Sequence, residues 1–146
     1  MKVGLYQYGE GGGLEGLRIG VARQVPRGVK REEYVPGGYF DVWLPLVAPS
    51  AELVKNYQAG EVSTKQFFRS YRSEMRVVDK RHVIELLAAM ATRSPIHLGC
   101  FCADESRCHR SALLELVLEA LEDLPPKDGS GARYSSSPCS MPDPED

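Results

Sequence analysis

Apolar residues recur along the chain in two spacings, which together predict strands and helices in a definite order. Short apolar or alternating runs predict strands over residues 1–8, 17–23, 39–44 and 96–102. Apolar residues at helical spacing predict three consecutive helices between residues 50 and 93 and a last helix that ends before residue 125. This order predicts an α/β fold, a small layered domain with a mostly parallel sheet of about four strands flanked by helices.

Signals for helix starts support these boundaries. Ser50 is predicted to cap a helix over residues 51–59, which Gly60 stops. Ser63 and Gln66 have the spacing of a capping box, and Asp79 is predicted to cap the helix that follows.

Composition narrows the class of protein. The 146 residues are 42% hydrophobic and 26% charged, which is enough to bury a core, and the formal net charge is −2. That balance argues against wholesale polyanion binding, although it leaves binding of nucleic acid through a local basic patch open. No apolar run approaches the ~20 residues of a membrane span. Three of the four cysteines crowd between positions 100 and 108, which suits a reducing compartment, so a cytoplasmic protein without membrane contact is expected.

The end of the chain differs from the rest. Residues 1–124 are predicted to form a single domain, and residues 125–146 a flexible acidic tail rich in Pro, Gly and Ser. Cys139 lies in this tail and is expected to be an exposed bystander.

Residues 100–110 combine three cysteines, a histidine and two arginines between a predicted strand and a predicted helix. Ligands of open α/β sheets collect at the carboxyl ends of strands, where this segment falls. Ser106 is predicted as the N-cap, which places Cys108 in the first helical turn. There the unpaired amides and the helix dipole favour an anion and lower a thiol pKa. Arg107 and Arg110 add donors suited to phosphate, sulfate or carboxylate.

These side chains give a first hypothesis, an anion-binding pocket that belongs to a thiol-dependent enzyme. Cys108 or Cys100 would be the thiolate, and His109 would act as acid or base. Arg107 and Arg110 would hold a small phosphate-like ligand. At these positions the chain lacks the spacing of phosphatases and rhodaneses, in which five residues separate the reactive cysteine from an arginine.

Two other interpretations stay open. The ligand types of a tetrahedral zinc site are present in Cys100, Cys102, Cys108 and His109, although a C-x-C pair lacks the usual two-residue knuckle. Zinc is the one cofactor that the sequence suggests. With this loop zinc-bound or simply packed, the chain would be a non-enzymatic module that recognises protein or nucleic acid. Each cysteine can also be a small buried hydrophobic residue without a chemical role.

Several short motifs carry a resemblance to a known family. They are residues 18–23 followed by 26–28, residues 39–45 with 48–50, Tyr71, Glu74 and Met75 in a Y-x-x-E-M pattern, and Cys100 with Cys108-His109-Arg110. Over roughly residues 17–122 the chain resembles domain-of-unknown-function family 488, also called YeaO-like. The resemblance implies a small cytosolic α/β domain without an established activity.

The resemblance also implies which residues share a site. They are the arginines of the first motif, Asp41, Tyr71, Glu74 and the Cys-His-Arg turn. Arg18 and Arg23 point to opposite faces of a strand, so Arg18 is expected on the solvated surface, while Arg23 and Arg27 remain candidates for an anion site. Asp41 interrupts an apolar run and needs a cation, for which Arg23 or Arg27 is the expected partner. Glu74 is the candidate for proton transfer.

Aromatic residues leave the oligomeric state open. Tyr6, Tyr8 and Tyr34 are expected to be exposed, where they would mark the face of a homo-oligomer.

Overall fold

A sheet of four parallel strands carries the fold, which confirms the predicted α/β class. The structure is a computed structural model that describes residues 3–125. The strands are β1 (Val3–Gln7), β2 (Leu17–Gly20), β3 (Val42–Trp43) and β4 (Ile96–Cys100). The helices are α1 (Ala51–Gln58), α2 (Thr64–Glu74), α3 (Val78–Ala91) and α4 (His109–Asp123). The predicted tail lies outside the described residues from position 126 onward and stays a prediction.

The strand order β1-β4-β2-β3 places β4 in the centre of the sheet. Every residue of β4 is buried, as expected of a central parallel strand covered on both faces. Cys100 ends β4 in register with Gln7 of β1, and Gly99 pairs with Gly20 of β2. The carboxyl ends of three strands therefore meet at the edge of the sheet where residues 100–110 begin. We call these residues the cysteine segment.

The predicted helix starts are largely correct. Ser50 caps α1, since its Oγ accepts a hydrogen bond from the Leu53 amide, and Ser63 and Gln66 form the reciprocal capping box of α2. The prediction of Asp79 as the cap of α3 was wrong, because the helix already begins at Val78 and Val77 is its N-cap residue. The carbonyl of Val77 accepts the hydrogen bond from the Arg81 amide.

Strand β3 is shorter than the predicted run over residues 39–44. The amides of Tyr39 and Phe40 both donate to the carbonyl of Tyr34, so these residues close a turn instead of joining the sheet. The apolar pattern was a correct sign of burial, since Phe40 is only 3% exposed, but it indicated a strand where the chain forms a turn.

Aromatic side chains cover one face of the sheet. Tyr6 lies so close to Gly99 that a Cβ at that position would be 2.3 Å from its ring, and a Cβ at Gly20 would be 2.5 Å from the Tyr8 hydroxyl. Because neither glycine has a side chain, both rings can approach the backbone closely. The aromatic cluster formed in this way consists of Tyr6, Tyr8, Ala22, Phe40, Cys100 and Cys108. Two of the cysteines are therefore packed among its aromatic rings.

This cluster corrects the expectation of a tyrosine face for self-association. Tyr6 and Tyr8 are buried, at 7% and 8% exposure, and Tyr34 is only partly exposed and packs on Phe40. Their hydroxyls are used internally, since Tyr6 donates to the carbonyl of Tyr39.

Arg18 is buried in an ion pair, which corrects its predicted place on the surface. Its guanidinium contacts both carboxylate oxygens of Asp41, with Nη2 2.9 Å from Oδ1, and donates to the carbonyls of Gly11 and Val35. Asp41 therefore pairs with Arg18 and not with Arg23 or Arg27. The hydrogen bond from Arg18 is the main reason why the pKa of Asp41 is lowered. The pair fastens β2 to two loops beside the aromatic cluster.

Within residues 3–125, no helix is both long enough and apolar enough to cross a membrane.

Asp41→Asn should lower the free energy of unfolding at neutral pH by about 1–3 kcal/mol, because it leaves the Arg18 guanidinium without its anion. Since the folded-state pKa of Asp41 is lowered, the wild-type advantage is present above the unfolded pKa of about 4 and is lost as the pH falls through the folded value. Urea unfolding of both proteins across this range measures the difference. An equal advantage at neutral and strongly acidic pH would contradict it, and the exposed Glu61→Gln is the matched control.

Candidate functional site

The cysteine segment leaves the sheet at Cys100 and returns as α4. Ser106, predicted as the N-cap of α4, lies instead in the turn before the helix, where Asp104 is the cap because its Oδ1 accepts hydrogen bonds from the amide and the hydroxyl of Ser106 at 3.0 and 2.6 Å. This cap starts a short 3-10 turn over Glu105–Arg107. Helix α4 then begins at His109 with Cys108 as its N-cap residue, so Arg107 lies before the helix and is exposed.

Three thiols converge where β4 ends and α4 begins. The Sγ atoms of Cys100, Cys102 and Cys108 all lie within 4.8 Å of one another, and no disulfide joins these cysteines. We call this group the thiol cluster. Cys100 and Cys108 are buried, whereas Cys102 is exposed. One cysteine of the cluster is therefore accessible to solvent, and the other two are buried.

Arg110 lies buried beside the thiol cluster with 2% exposure. Its Nη1 donates to the carbonyl of Cys102 at 2.7 Å and to that of Cys100 at 3.5 Å, and it lies 3.9 Å from the Cys108 sulfur. Its Nε has no hydrogen-bond partner, and the ion pairs formed among residues 3–125 do not include Arg110. A buried guanidinium needs a nearby negative charge. The thiol cluster is the group in contact that can supply it.

The cluster favours ionisation at Cys102. Hydrogen bonds from Cys100 and Cys108 lower the pKa of the Cys102 thiol well below its usual range, and the charge of Arg110 adds to the effect. The pKa of Cys108 is raised, mainly by its hydrogen bonds to the other two thiols and then by burial. From the sequence, the thiolate was expected at Cys108 or Cys100, because the helix terminus and the neighbouring arginines could be considered but the contacts between the thiols could not be seen. The exposed neighbour is the better place for the charge, since water also solvates it.

His109 is fixed in one orientation by its neighbours. Its Nε2 lies 2.7 Å from the carbonyl of Val21, which can only accept, so Nε2 carries the proton. Burial lowers the pKa of His109 to about 4, which keeps the ring neutral. The free lone pair on Nδ1 faces Cys108, whose sulfur is 3.7 Å away. Tyr71 packs edge-on against the ring and donates its hydroxyl proton to the carbonyl of Val47.

A cavity of about 260 Å³ opens beside these groups. It lies between the loop after β2, helix α1 and the cysteine segment, at the carboxyl ends of the strands. Its apolar wall is formed by Pro49, Val54, Tyr57, Phe67 and Phe101, and its polar residues include Arg23, Gln24, Gln58 and Arg107. All three cysteines and His109 also line it, so we call it the thiol cavity.

The structure brings together only part of the predicted site. Arg23 and Arg107 line the thiol cavity, whereas Arg27 does not, and Arg110 lies behind the cysteines. Asp41 is engaged with Arg18, as described above. Glu74 is committed to α1, where its two carboxylate oxygens accept from the amide and the hydroxyl of Ser50 at 2.8 and 2.6 Å. Tyr71 supports the imidazole without lining the cavity.

Sequence reasoning missed the contribution of α1. Val54, Tyr57 and Gln58 share one face of that helix, at positions i, i+3 and i+4, and all three line the thiol cavity. This spacing was visible in the sequence, but nothing local indicated that the face would meet the cysteine segment. The sequence could not indicate the hydrogen bond between His109 and the carbonyl of Val21, because every residue has a backbone carbonyl.

The donor atoms fit a zinc ion only in part. Three sulfurs lie close enough to bind one ion, but the histidine nitrogens fall outside this group, so the predicted four-residue set is reduced to Cys100, Cys102 and Cys108. Three thiolates around Zn²⁺ carry a net charge of −1, which the buried Arg110 would offset.

A larger cavity, of about 490 Å³, lies between α2, α3 and α4. Arg72 at its rim is already paired with Glu115 and Glu119, and none of the three cysteines lines it. The reactive groups are therefore concentrated at the thiol cavity.

Comparison with known families identifies the family of the chain. A model of the family DUF488-N3a, described as the active DUF488-N3 subclade, matches residues 5–121. The chain belongs to this family of unknown function, which confirms the resemblance seen in its motifs. Neither curated proteins nor solved structures gave a match.

Iodoacetamide should alkylate Cys102 at about pH 6 nearly as fast as at neutral pH, because its lowered pKa keeps it a thiolate. An ordinary thiol of pKa about 8.5 loses roughly tenfold in rate for each pH unit below neutrality. Timed alkylation followed by peptide mapping measures both rates in one sample, with Cys139 as the internal reference. A parallel fall of both rates with pH would contradict the assignment, and Cys102→Ser should remove the fast phase.

Proposed function

We propose that the protein is a thiol-dependent enzyme whose thiol cavity binds a small ligand with a phosphate-like anionic group. One observation carries this proposal: three sulfurs converge at the wall of a cavity, and a buried arginine lies 3.9 Å from one of them. A packed core would not require this arginine, since burying an unpaired charge among thiols costs stability. The arrangement suits a site that holds a thiolate ready for reaction.

The walls of the cavity indicate the class of ligand. Arg23 and Arg107 present guanidinium groups that suit phosphate, sulfate or carboxylate. Val54, Tyr57 and Phe67 contribute apolar side chains to the same cavity. A volume of about 260 Å³ is slightly below the usual range for drug-sized ligands. We therefore expect a small molecule with an anionic group and a short apolar or aromatic part.

The roles of the reactive groups follow from their exposure. Cys102 is the exposed sulfur and acts as nucleophile, while Arg110 stabilises its negative charge from behind. His109 receives or returns a proton through Nδ1, which faces Cys108. The description of the matching subclade as active is in keeping with catalysis. Free thiols of this kind suit a reducing compartment, so we also propose a cytoplasmic location.

Trp43 provides a direct readout of ligand binding. It is the single tryptophan, and its indole Nε1 donates to the carbonyl of Ala22, a residue that lines the cavity. We expect inorganic phosphate and phenyl phosphate to change its fluorescence in a saturable way, with phenyl phosphate binding more tightly because it fills the apolar wall. Arg107→Gln and Arg23→Gln should each weaken binding about tenfold, the usual cost of one charge-assisted contact.

Arg27→Gln is the matched control for these variants, because Arg27 has the same charge and does not line the cavity. The proposal fails if wild-type protein shows no saturable change with either compound. It also fails if the Arg23 and Arg107 variants bind as tightly as the control.

A second function is favoured by the three-sulfur geometry alone. The chain would be a non-enzymatic interaction module in which the thiol cluster holds zinc and the arginines contact protein or nucleic acid. Native mass spectrometry of protein purified from its own cells should then show one zinc ion per chain, released by thiol modification and absent from Cys102→Ser but not from Cys139→Ser. Binding to nucleic acid would weaken steeply with salt. Metal-free protein with a rapidly alkylated Cys102 would exclude this function.

A further inference from the structure

The thiol cluster holds more sulfur than a single nucleophile requires. One thiolate is sufficient to attack a ligand, yet two more thiols lie within 4.8 Å of it and of each other. Two neighbouring thiols can together give up two electrons by forming a disulfide. This surplus indicates a chemistry in which the cluster itself is oxidised.

We propose that Cys102 and Cys108 form a reactive thiol pair that reduces a hydroperoxide and becomes a disulfide. This inference rests on the thiol reactivity proposed above, but it does not depend on anion binding at Arg23 and Arg107.

Exposure decides which sulfur meets the oxidant. Cys102 is exposed at the mouth of the thiol cavity, whereas Cys100 and Cys108 are 5% and 1% exposed. Arg110 contributes by holding the carbonyl of Cys102 at 2.7 Å, which keeps this residue beside the cluster. A small hydroperoxide that enters the cavity therefore reaches the Cys102 sulfur first.

Two features select Cys108 as the second thiol. The imidazole Nδ1 of His109 lies 3.7 Å from the Cys108 sulfur, where it can accept a hydrogen bond from the thiol and orient it. Cys108 also lies outside the sheet, between the 3-10 turn and α4, where the backbone can adjust to disulfide geometry.

Cys100 is held more firmly. It is the last residue of the central strand β4, and its carbonyl accepts a hydrogen bond from the Tyr8 amide. A disulfide from Cys100 to Cys102 would have to close across one intervening residue, which strains an extended backbone. We therefore assign Cys100 a packing role in the aromatic cluster.

The reaction balances in two steps. The Cys102 thiolate attacks one peroxide oxygen and the O–O bond breaks, which gives a sulfenic acid on Cys102 and an alkoxide, or hydroxide when the oxidant is hydrogen peroxide. This anion takes up from water the proton that Cys102 released on ionising, and it leaves as an alcohol or as water. The sulfur of Cys108 then attacks the Cys102 sulfur, and the S–O bond breaks. The leaving hydroxide takes the thiol proton of Cys108 as the S–S bond forms and departs as water. Two thiols have lost two electrons, and the peroxide has gained them.

The test is a single-turnover oxidation of the reduced full-length protein with equimolar hydrogen peroxide. Wild-type protein should lose two hydrogens in mass, and a non-reduced peptide map should join Cys102 to Cys108. A small dithiol should reverse the change. In Cys108→Ser the reaction should stop at the sulfenic acid, seen as one added oxygen on Cys102 that dimedone traps. Cys139→Ser is the matched control and should behave as wild type.

Three outcomes would overturn the proposal. They are a disulfide in Cys108→Ser that joins Cys100 to Cys102, oxidation of Cys139 at the same rate as Cys102, and no oxidation of the reduced, zinc-free protein. The wild-type peptide map decides the question even if a variant is unstable. Phosphate titration read by Trp43 tests the anion site separately, so failure of one proposal is distinguishable from failure of the other.

Discussion

The burial of Arg110 beside the thiol cluster is the constraint from which the arrangement of the site follows. A guanidinium without water must be satisfied by carbonyl oxygens and a nearby anion, and here Cys100 and Cys102 supply the carbonyls. The same contacts bend the chain after β4 so that the Cys102 sulfur turns back toward Cys100 and Cys108. The contacts of Arg110 thus both support the loop and stabilise a negative charge on the Cys102 thiol. Burying this charge costs stability, which the packing of the surrounding core offsets.

That core consists of two different halves, and the site lies between them. On one face of the sheet, helices pack against aliphatic strand residues such as Ile19 and Leu98, while aromatic rings cover the other face. Cys100 and Cys108 belong to the aromatic half, where they are protected from solvent on all sides except the cavity. A buried, rigid surrounding is what a reactive thiol needs if it is to meet only molecules that fit the opening.

Much of the fold could be predicted from the sequence, and the predictions that were wrong share one cause. Periodicity gave the class, the parallel sheet and the caps at Ser50 and Ser63, because these depend on neighbours in the chain. The partner of Asp41 was assigned to the wrong arginine, because Arg18 was judged by its position in a strand, and its burial depends on loops around Gly11 and Val35. The tyrosines were expected outside for a similar reason: only distant glycines reveal that the rings have room inside.

The segment that the sequence singled out does bring three thiols together, but the arrangement within it could not be predicted. Crowded cysteines beside a histidine and arginines are an unusual composition, and this alone drew attention to the segment. The surroundings of each sulfur depend on its burial, which the sequence does not show, and on Asp104, whose cap is followed by a 3-10 turn so that the helix begins two residues later than predicted. Glu74 and Tyr71 matched the family motif, yet one holds the end of a helix and the other braces the imidazole. A shared motif can therefore record structural need as well as chemistry.

The hydrogen bond between His109 and the carbonyl of Val21 joins positions 88 residues apart. The cysteine segment is short enough to be made as a synthetic peptide containing all of its thiols, its histidine and its arginines. Such a peptide would lack the distant oxygen that selects the ring tautomer and the sheet that buries the guanidinium. Its sulfurs would behave as those of any unstructured fragment, because the reactivity of these few neighbours in the chain is a property of the whole folded domain.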